Sequence, residues 1–269
     1  MSTAVFQVDS FTDKPFCGNP AGVCPLEKEP AEDWMRGVAA EMNVSETVFL
    51  WPEGKGFRVR YFTPVVEVPL CGHGTLGSAH VLWEEEVVPE EDPIYIEAKG
   101  GSLAARREGE WICLDFPALP AEECPVPEDA AAALRTKPVS ASCVAQEGLL
   151  VELSSEEEVR DLSPDLFRLA QCGYGGTIVT APSRSGDTDF VSRFFAPEWG
   201  IPEDPVTGAS HCSLGPYWGK RLGKSEMIGR QLSRRGGTVR VRVRGGRVDI
   251  LGKAVTVMKA SFLIDPWRP

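Results

Sequence analysis

One stretch of this sequence occurs twice, and the repetition restricts the fold more than any other feature. Residues 60–74 align without a gap with the stretch that begins at residue 193, at a constant shift of 133 positions. Four aligned positions carry the same residue: Arg60 and Arg193, Phe62 and Phe195, Pro64 and Pro197, Pro69 and Pro202. The sequence therefore predicts two copies of one structural unit.

Each copy is predicted to run from a β-strand, through a loop with prolines, into a helix that begins with glycine and other small residues. The first backbone N–H groups of a helix lack partners inside the helix and lie at the positive end of its dipole. Such a start can bind a carboxylate or another anion. At matching positions the copies carry different reactive groups, Cys71 and Asp204. This asymmetry suits an acid–base enzyme that acts on a small substrate.

Length and composition exclude several classes of protein. A chain of 269 residues, 42% of them hydrophobic, is long enough for roughly two domains. The net charge of −11 argues against nucleic acid or an anionic membrane surface as a partner. No apolar stretch approaches ~18 residues and no export signal is visible, so we expect a cytoplasmic protein. The eight cysteines lack paired short spacings and are expected to be reduced thiols.

Hydrophobic periodicity predicts the elements of the first copy. A helix over residues 31–42 has one apolar face and is expected to end at Asn43, a residue that tolerates the left-handed conformation. A strand rich in β-branched and aromatic residues begins at residue 45. A second helix is predicted over about residues 75–86, directly after the repeated loop.

The boundary between the copies is predicted from proline content. Residues 117–127 contain four prolines and are expected to form a linker. The predicted domains are residues 1–117 and residues 118–253. The last segment, residues 254–269, contains a strand that is expected to complete the first domain.

In the second copy, the sequence Asp204-Pro205 is typical of a helix start, with the aspartate as N-cap and proline at the first helical position. The helix itself is predicted from about residue 208 to residue 222. The arginines of residues 230–247 alternate in part with valines, which indicates the solvated face of a strand rather than a nucleic-acid site.

Five separated motifs then carry a resemblance to a known family. They are Asn43-Val-Ser-Glu-Thr-Val-Phe49, Phe62-Thr-Pro64, Glu67-Val-Pro-Leu-Cys-Gly-His-Gly-Thr75, Arg193-Phe-Phe-Ala-Pro197 and Glu203-Asp-Pro-Val-Thr-Gly208. With Gly18-Asn-Pro-Ala21 near the start and Arg235-Gly-Gly237 near the end, the chain resembles the PhzF-like (phenazine-biosynthesis-like) isomerase family over its whole length. The overall pattern looks closest to the animal phenazine-biosynthesis-like domain proteins.

The resemblance implies the α+β fold of diaminopimelate epimerase. In that fold two pseudo-symmetric domains each wrap a curved, mostly antiparallel sheet around a central helix, and the active site lies between them. The resemblance further implies a homodimer that needs no cofactor and no metal ion. The implied reaction moves a proton between carbon atoms of a small carboxylated, dihydroaromatic-like substrate.

The family's functional residues map onto this chain position by position. In PhzF-like enzymes a glutamate transfers the proton, and Glu46 is the matching residue. His73 and Asp204 match residues that line the substrate, and we expect all three to take part in catalysis. The remaining expected contacts with the substrate are Asn19, Ser45, Cys71, Gly72, Gly74, Thr75, Gly208, Ala209 and Ser210.

Two features leave alternatives open. The family pattern usually continues Thr-Gly-Ser-Ala-His, whereas this chain has Ala209 followed by Ser210, and the question is whether Ser210 takes over that hydrogen bond. The two-thiol mechanism of the epimerases is disfavoured because Asp204 replaces the second thiol. An amino-acid epimerase or racemase that uses Cys71 is nevertheless an alternative, since a helix start lowers the pKa of a thiol. A non-catalytic binding protein on the same scaffold is another.

A metal site is a further alternative, although no metal is expected. Its ligands would come from His73, His80, His211 and Cys212, but no short ligand pair supports it.

Overall fold

The computed structural model describes residues 3–145 and 148–267. The chain divides into two compact units. The first contains the residues up to Asp115 together with those from Leu251 onward, and the second contains residues 116–250. The domain boundaries drawn from the sequence stay a prediction, which this division supports.

Most of the regular structure is β-sheet. The strands of the described residues are β1 (Thr3–Ser10), β2 (Asn19–Pro25), β3 (Glu46–Glu53), β4 (Gly56–Phe62), β5 (Glu67–Val68), β6 (Ile94–Ala98), β7 (Gly101–Glu108), β8 (Trp111–Pro117), β9 (Ala121–Cys124), β10 (Ser140–Val144), β11 (Gly148–Glu152), β12 (Thr177–Pro182), β13 (Phe190–Ala196), β14 (Ile201–Asp204), β15 (Glu226–Gln231), β16 (Gly237–Arg244), β17 (Arg247–Gly252) and β18 (Ala254–Phe262).

The helices are fewer and mostly short. They are α1 (Glu32–Met42), α2 (Gly72–Glu84), α3 (Glu128–Leu134), α4 (Glu156–Asp161), α5 (Leu166–Gln171) and α6 (His211–Leu222). A single 3₁₀ turn over Pro197–Trp199 lies between β13 and β14 among the described residues. No helix within residues 3–145 and 148–267 has the length and apolar character needed to span a membrane.

The first unit is a mixed sheet with a buried helix. Its strands follow the order β18, β1, β2, β3, β4, β6, β7 and β8, and only the pairs β2–β3 and β4–β6 are parallel. Helix α2 packs against β1, β2, β3 and β18, and ten of its residues are buried. A helix buried on nearly all sides in this way fills the interior of its unit.

Helix α1 covers another part of the first unit's core. The indole ring of Trp34 packs edge-on against Phe49 with 5.6 Å between ring centroids, and Phe49 packs in the same way against Phe62 at 5.7 Å. The helix ends at Asn43, whose φ of 49° and ψ of 37° are left-handed and whose N–H donates to the carbonyl of Ala39. The predicted helix end is confirmed.

The second unit repeats the order of the first seven of these strands. Its order is β9, β10, β11, β12, β13, β15 and β16, and only β11–β12 and β13–β15 are parallel. Strand β10 therefore corresponds to β1, and the short strand β9 takes the place that β18 holds in the first unit. Helix α6 packs on β9, β15 and β16. The two copies predicted from the repeated stretch are thus two copies of one sheet topology.

The repeated arginines share two contacts in both copies. Arg60 pairs through two nitrogens with Glu67, at 2.9 and 3.0 Å, and Arg193 pairs in the same way with Glu203, at 2.7 and 3.0 Å. Each guanidinium also lies over the phenylalanine two residues later, 5.1 and 4.9 Å from the ring centre. Bidentate pairing and ring contact together fix the start of each loop.

Two expectations about irregular segments need correction. The predicted linker, residues 117–127, contains β9, which pairs antiparallel with β10. Its prolines flank the strand instead of interrupting it, which is where a strand tolerates proline. The arginines of β16 are not simply solvated, because Arg242 and Arg244 both donate to Asp249, whose side chain is fully buried.

Candidate active site

Glu46 and His73 come together in the first unit. Glu46 is the first residue of β3, and His73 is the second residue of α2. Their side chains are 13% and 7% exposed, and Glu46 Oε2 lies 3.0 Å from His73 Nε2. Oε2 makes no aligned hydrogen bond among the described residues. A buried carboxylate oxygen that touches an imidazole without being fixed by it is well placed to exchange a proton with a third group.

The start of α2 explains the glycines around His73. Cys71 is the N-cap residue in an extended conformation, and its sulfur accepts the N–H of Gly74 at 3.3 Å. A Cβ atom on Gly74 would lie 2.8 Å from Val48 and 3.0 Å from the Cys71 sulfur, so only glycine fits without movement. The hydroxyl of Thr75 donates to the carbonyl of Cys71 at 2.7 Å and contacts the Tyr61 hydroxyl at 2.6 Å. Thr75 therefore stabilises this turn through its side chain.

The N–H groups of Gly72 and His73 lie in the first turn of α2. By helix geometry they have no acceptor inside the helix. They lie beside the Glu46–His73 pair, since His73 belongs to both. This arrangement supports the expectation that the turn can bind a substrate carboxylate.

A chain of hydrogen bonds contacts His73 at its ring nitrogen Nδ1 and at its backbone carbonyl. The Ser45 hydroxyl donates to Asn19 Oδ1 at 3.0 Å, and Asn19 Nδ2 lies 3.2 Å from His73 Nδ1. The Ser10 hydroxyl donates to the backbone carbonyl of His73 at 2.8 Å. Asn19 and Ser10 are paired neighbours on β2 and β1, and Asn19 is completely buried. The structure thus places two of the expected substrate contacts, Asn19 and Ser45, where they orient the His73 ring.

These hydrogen bonds favour one tautomer of the neutral His73 ring. With Asn19 Oδ1 accepting from Ser45, the amide Nδ2–H points at His73 Nδ1, which must then be the acceptor. The proton of the neutral ring is consequently on Nε2, facing Glu46. Half a turn of the Asn19 amide exchanges the roles of its two atoms and serves the doubly protonated ring. Asn19 and Ser45 can therefore support both protonation states of His73.

Burial and neighbouring charges act in opposite directions on these groups. Burial lowers the pKa of His73, but Cys71 and the Glu46 carboxylate favour the charged ring more strongly, so the pKa is raised well above its ordinary value. Burial raises the pKa of the Cys71 thiol, and Glu46 adds to this effect. The helix start was expected to lower the pKa of Cys71. That expectation is wrong, because desolvation outweighs the single N–H donated by Gly74.

The corresponding loop of the second unit is held by a glutamine. The Gln231 side chain donates to the carbonyl of Asp204 at 2.8 Å and accepts the N–H of Thr207 at 2.9 Å. The Thr207 hydroxyl in turn donates to the Asp204 carboxylate. Gln231 is fully buried, so it fixes Asp204 from the inside of the unit while the Asp204 side chain stays half-buried.

Asp204 is not the N-cap of the following helix. It is the last residue of β14 and is in register with Phe194, and α6 begins seven residues later at His211. The N-cap is Ser210, which has helical dihedral angles and makes no side-chain capping bond. The expectation failed because residues 205–210 form a tight turn that the Asp-Pro pair alone does not reveal.

The structure also shows what Ser210 does beside Ala209, where the family pattern has serine at position 209. The Ser210 hydroxyl is buried and donates to the carbonyl of Thr207 at 2.8 Å. His211 Nδ1 contacts the same carbonyl at 2.8 Å, and burial lowers the pKa of His211 to about 4. Ser210 therefore stabilises its own turn, and His211 is a neutral side chain of the interior. Gly208 and Ala209 precede the helix in this turn.

Comparison with known proteins identifies the family of the chain. The sequence profile of the phenazine biosynthesis-like proteins (PhzC-PhzF) matches residues 8–260. The chain belongs to the PhzF-like family. It is 47% identical to an uncharacterized isomerase of Pseudomonas aeruginosa and 44% identical to one of Halalkalibacterium halodurans, each over 98% of this chain and 100% of the relative. The mouse phenazine biosynthesis-like domain-containing protein 2 is 37% identical over 97% of this chain and 99% of its own length. The animal proteins are therefore less similar than these bacterial ones, contrary to expectation.

Solved structures of the family show the same fold. A PhzF-family protein from Enterococcus faecalis superposes with a TM-score of 0.94 at 40% identity, covering 98% of this chain and all of the other. A predicted epimerase from Pseudomonas aeruginosa superposes with a TM-score of 0.73 at 21% identity over 98% of this chain, which shows the fold alone. The predicted α+β, diaminopimelate-epimerase-like fold is confirmed.

Two residues around the candidate site escaped the sequence analysis. Ser10 holds the backbone of His73 across 63 positions, and Gln231 fixes the Asp204 loop across 27. A serine at the end of a strand and a glutamine at the end of another carry no motif, and only the pairing of the strands brings them into place.

Proposed function

We propose that this chain is an isomerase that moves a proton between carbon atoms of a small carboxylated substrate, with Glu46 as the acid–base group. The contact between Glu46 Oε2 and His73 Nε2 carries the proposal. The relatives named isomerases support it at the level of reaction class.

The proposed reaction begins with Glu46 as a base. Its carboxylate takes a proton from a substrate carbon, and the electron pair left behind enters the conjugated system of the substrate. The protonated Glu46 exchanges its proton with solvent and then delivers a proton to another carbon, where a new C–H bond forms. No net charge is gained or lost, and one carboxyl group serves both steps.

His73 and the start of α2 stabilise the charge that develops. The Nε2–H of His73 faces the reacting carboxyl group, and the raised pKa of His73 makes its charged form accessible near neutral pH. The N–H groups of Gly72 and His73 would bind the carboxylate of the substrate. Asp204, Gly208, Ala209 and Ser210 are also proposed as substrate contacts.

The test is hydrogen exchange in D₂O followed by proton NMR. Dihydro-hydroxyanthranilate is incubated with the wild type and with the isosteric variant Glu46→Gln. Deuterium at a carbon of the substrate or product with the wild type alone supports the proposal. Equal incorporation by both proteins assigns the acid–base role to another residue. Saturable binding of an aromatic carboxylate with no incorporation by either protein supports a binding function instead.

A second candidate is an amino-acid epimerase that uses Cys71, because the Cys71 sulfur lies 3.4 Å from His73 Nδ1. Against it, burial keeps this thiol protonated at neutral pH, since its pKa is raised. The Cys71→Ala variant separates the two functions. It should keep Glu46-dependent exchange within a few-fold of the wild type, whereas an epimerase would lose racemisation altogether.

We also propose that the protein is a homodimer in the cytoplasm, as the family resemblance implies. Sedimentation equilibrium of the full chain tests the dimer, and a monomer at micromolar concentration would contradict it. Fractionation of the source cells tests the location.

A further inference from the structure

The residues of the candidate site are also a set of metal ligands. Glu46, Cys71 and His73 each present one ligand atom within 4.8 Å of the other two. Among the described residues, they form the cluster of His, Cys, Asp or Glu side chains that could hold a metal ion. The donors are a carboxylate oxygen, a sulfur and an imidazole nitrogen. Proteins bind Zn²⁺ with this mixture of donors, and a soft thiolate excludes Mg²⁺ and Ca²⁺ as preferred ions.

Two of the three separations between these atoms are close to those of ligands on one tetrahedral ion. With bonds of about 2.3 Å to sulfur and about 2.0–2.2 Å to nitrogen or oxygen, two ligands of a tetrahedral ion lie roughly 3.4–3.6 Å apart. Cys71 Sγ is 3.8 Å from His73 Nε2, and Nε2 is 3.0 Å from Glu46 Oε2. Shifts of a few tenths of an ångström at the side-chain tips bring both separations to the tetrahedral value.

The surroundings support an ion in a second way. Glu46 Oε2 is buried and makes no aligned hydrogen bond among the described residues, so a cation would satisfy it. His73 Nδ1 contacts Asn19, which Ser45 holds, and this leaves Nε2, on the side of Glu46, as the nitrogen that can bind an ion. A metal-bound histidine usually has its second nitrogen hydrogen-bonded in this manner.

We propose that Glu46, Cys71 and His73 form an inhibitory binding site for a thiophilic divalent cation such as Zn²⁺. On binding, the sulfur–metal bond replaces the S–H bond of Cys71, and the released proton passes to solvent. No oxidation or reduction takes place. The bound ion occupies the oxygen and nitrogen that the proton transfer uses. Inhibition rests on the proposed function, whereas binding does not.

The test uses Co²⁺, which replaces Zn²⁺ and is visible spectroscopically. The reduced, chelator-treated full chain is titrated with Co²⁺. We expect a near-ultraviolet charge-transfer band from a thiolate ligand and intense visible bands from a tetrahedral ion, saturating at one equivalent and reversed by Zn²⁺. Cys71→Ser should abolish the charge-transfer band, and Glu46→Gln should weaken Co²⁺ binding. The matched control Cys143→Ser, which removes an exposed thiol, should leave the spectrum unchanged.

Each result bears on the proposal separately. Asn19→Ala, which removes only the outer support of His73, should lower Zn²⁺ affinity roughly 10–100-fold. A wild type without the charge-transfer band, or a band of full intensity in Cys71→Ser, overturns the site. A bound ion that does not slow deuterium exchange overturns the inhibition. Wild type that binds Co²⁺ but catalyses no exchange without metal refutes the proposed isomerase and supports the metal site.

Discussion

The hydrogen-bond chain behind His73 makes a quantitative prediction. Asn19→Ala removes the amide that faces His73 Nδ1, and Ser45→Ala removes the hydroxyl that orients this amide. Neither residue is placed to exchange a proton with the substrate. If Asn19 and Ser45 act by positioning His73, both variants slow the exchange reaction. Both do so by disturbing the same contact, that between the Asn19 amide and the His73 ring.

The magnitudes follow from what each variant leaves behind. Asn19→Ala leaves a buried ring nitrogen without its amide partner, which costs about 1–3 kcal/mol, or roughly 5–160-fold in rate. Ser45→Ala loses one neutral hydrogen bond while the amide stays, which costs about 0.5–1.5 kcal/mol, or roughly 2–13-fold. Glu46→Gln removes the acid–base group itself and should cost at least about 100-fold.

The assay is the first-order rate of deuterium incorporation at saturating substrate, measured for both single variants and for the double variant. Because Ser45 acts only through Asn19, the double variant should match Asn19→Ala within about 0.5 kcal/mol. Urea unfolding of each protein checks that the fold survives. Additive losses in the double variant, or a Ser45→Ala loss larger than that of Asn19→Ala, would refute the relay through Asn19.

Two further predictions concern stability. The pKa of His211 is about 4 in the folded protein against an ordinary 6.5, so the unfolded chain takes up this proton first as the pH falls. The contribution of His211 to stability is complete above pH 6.5, and about 3 kcal/mol of it is lost by pH 4. When the free energy of unfolding is measured with urea at several pH values in this range, it should change less steeply with pH for His211→Asn than for the wild type. The same dependence on pH in both proteins would contradict the lowered pKa. Gly74→Ala should destabilise by about 1–3 kcal/mol through the clash at Val48. Gly37→Ala, exposed in α1 with nothing within 4 Å, should be neutral or stabilise by up to about 1 kcal/mol, and similar losses in both would rule out the clash.

Much of the fold could be predicted from the sequence because one structural unit is encoded twice. Matching arginines at positions 60 and 193 indicate matching loops, and the structure shows the same bidentate contacts in both. Local chemistry also predicted the end of α1 at Asn43, where the left-handed conformation is a property of the residue itself. Features that depend on a few neighbouring residues could therefore be predicted.

The rest depends on distant parts of the chain. The N-cap expected at Asp204 failed because the pairing of β14 with β13 keeps this residue in a strand. The pKa of Cys71 was expected to fall with its helix position, but it rises with burial, which no local pattern encodes. The positioning of His73 by Ser10 and Asn19 arises from strand pairing and from contacts across 63 and 54 positions, respectively.

The last strand of the chain belongs to the first unit. Strand β18 pairs along the whole of β1, from Thr3 opposite Phe262 to Ser10 opposite Ala254. During synthesis every residue of the second unit has therefore been made while the first unit still lacks a strand beside β1. Domains usually fold in the order in which they leave the ribosome. Here that order is reversed: the copy encoded second is complete first, and β1, whose Ser10 holds the backbone of His73, lacks one of its two neighbouring strands until β18 has been made.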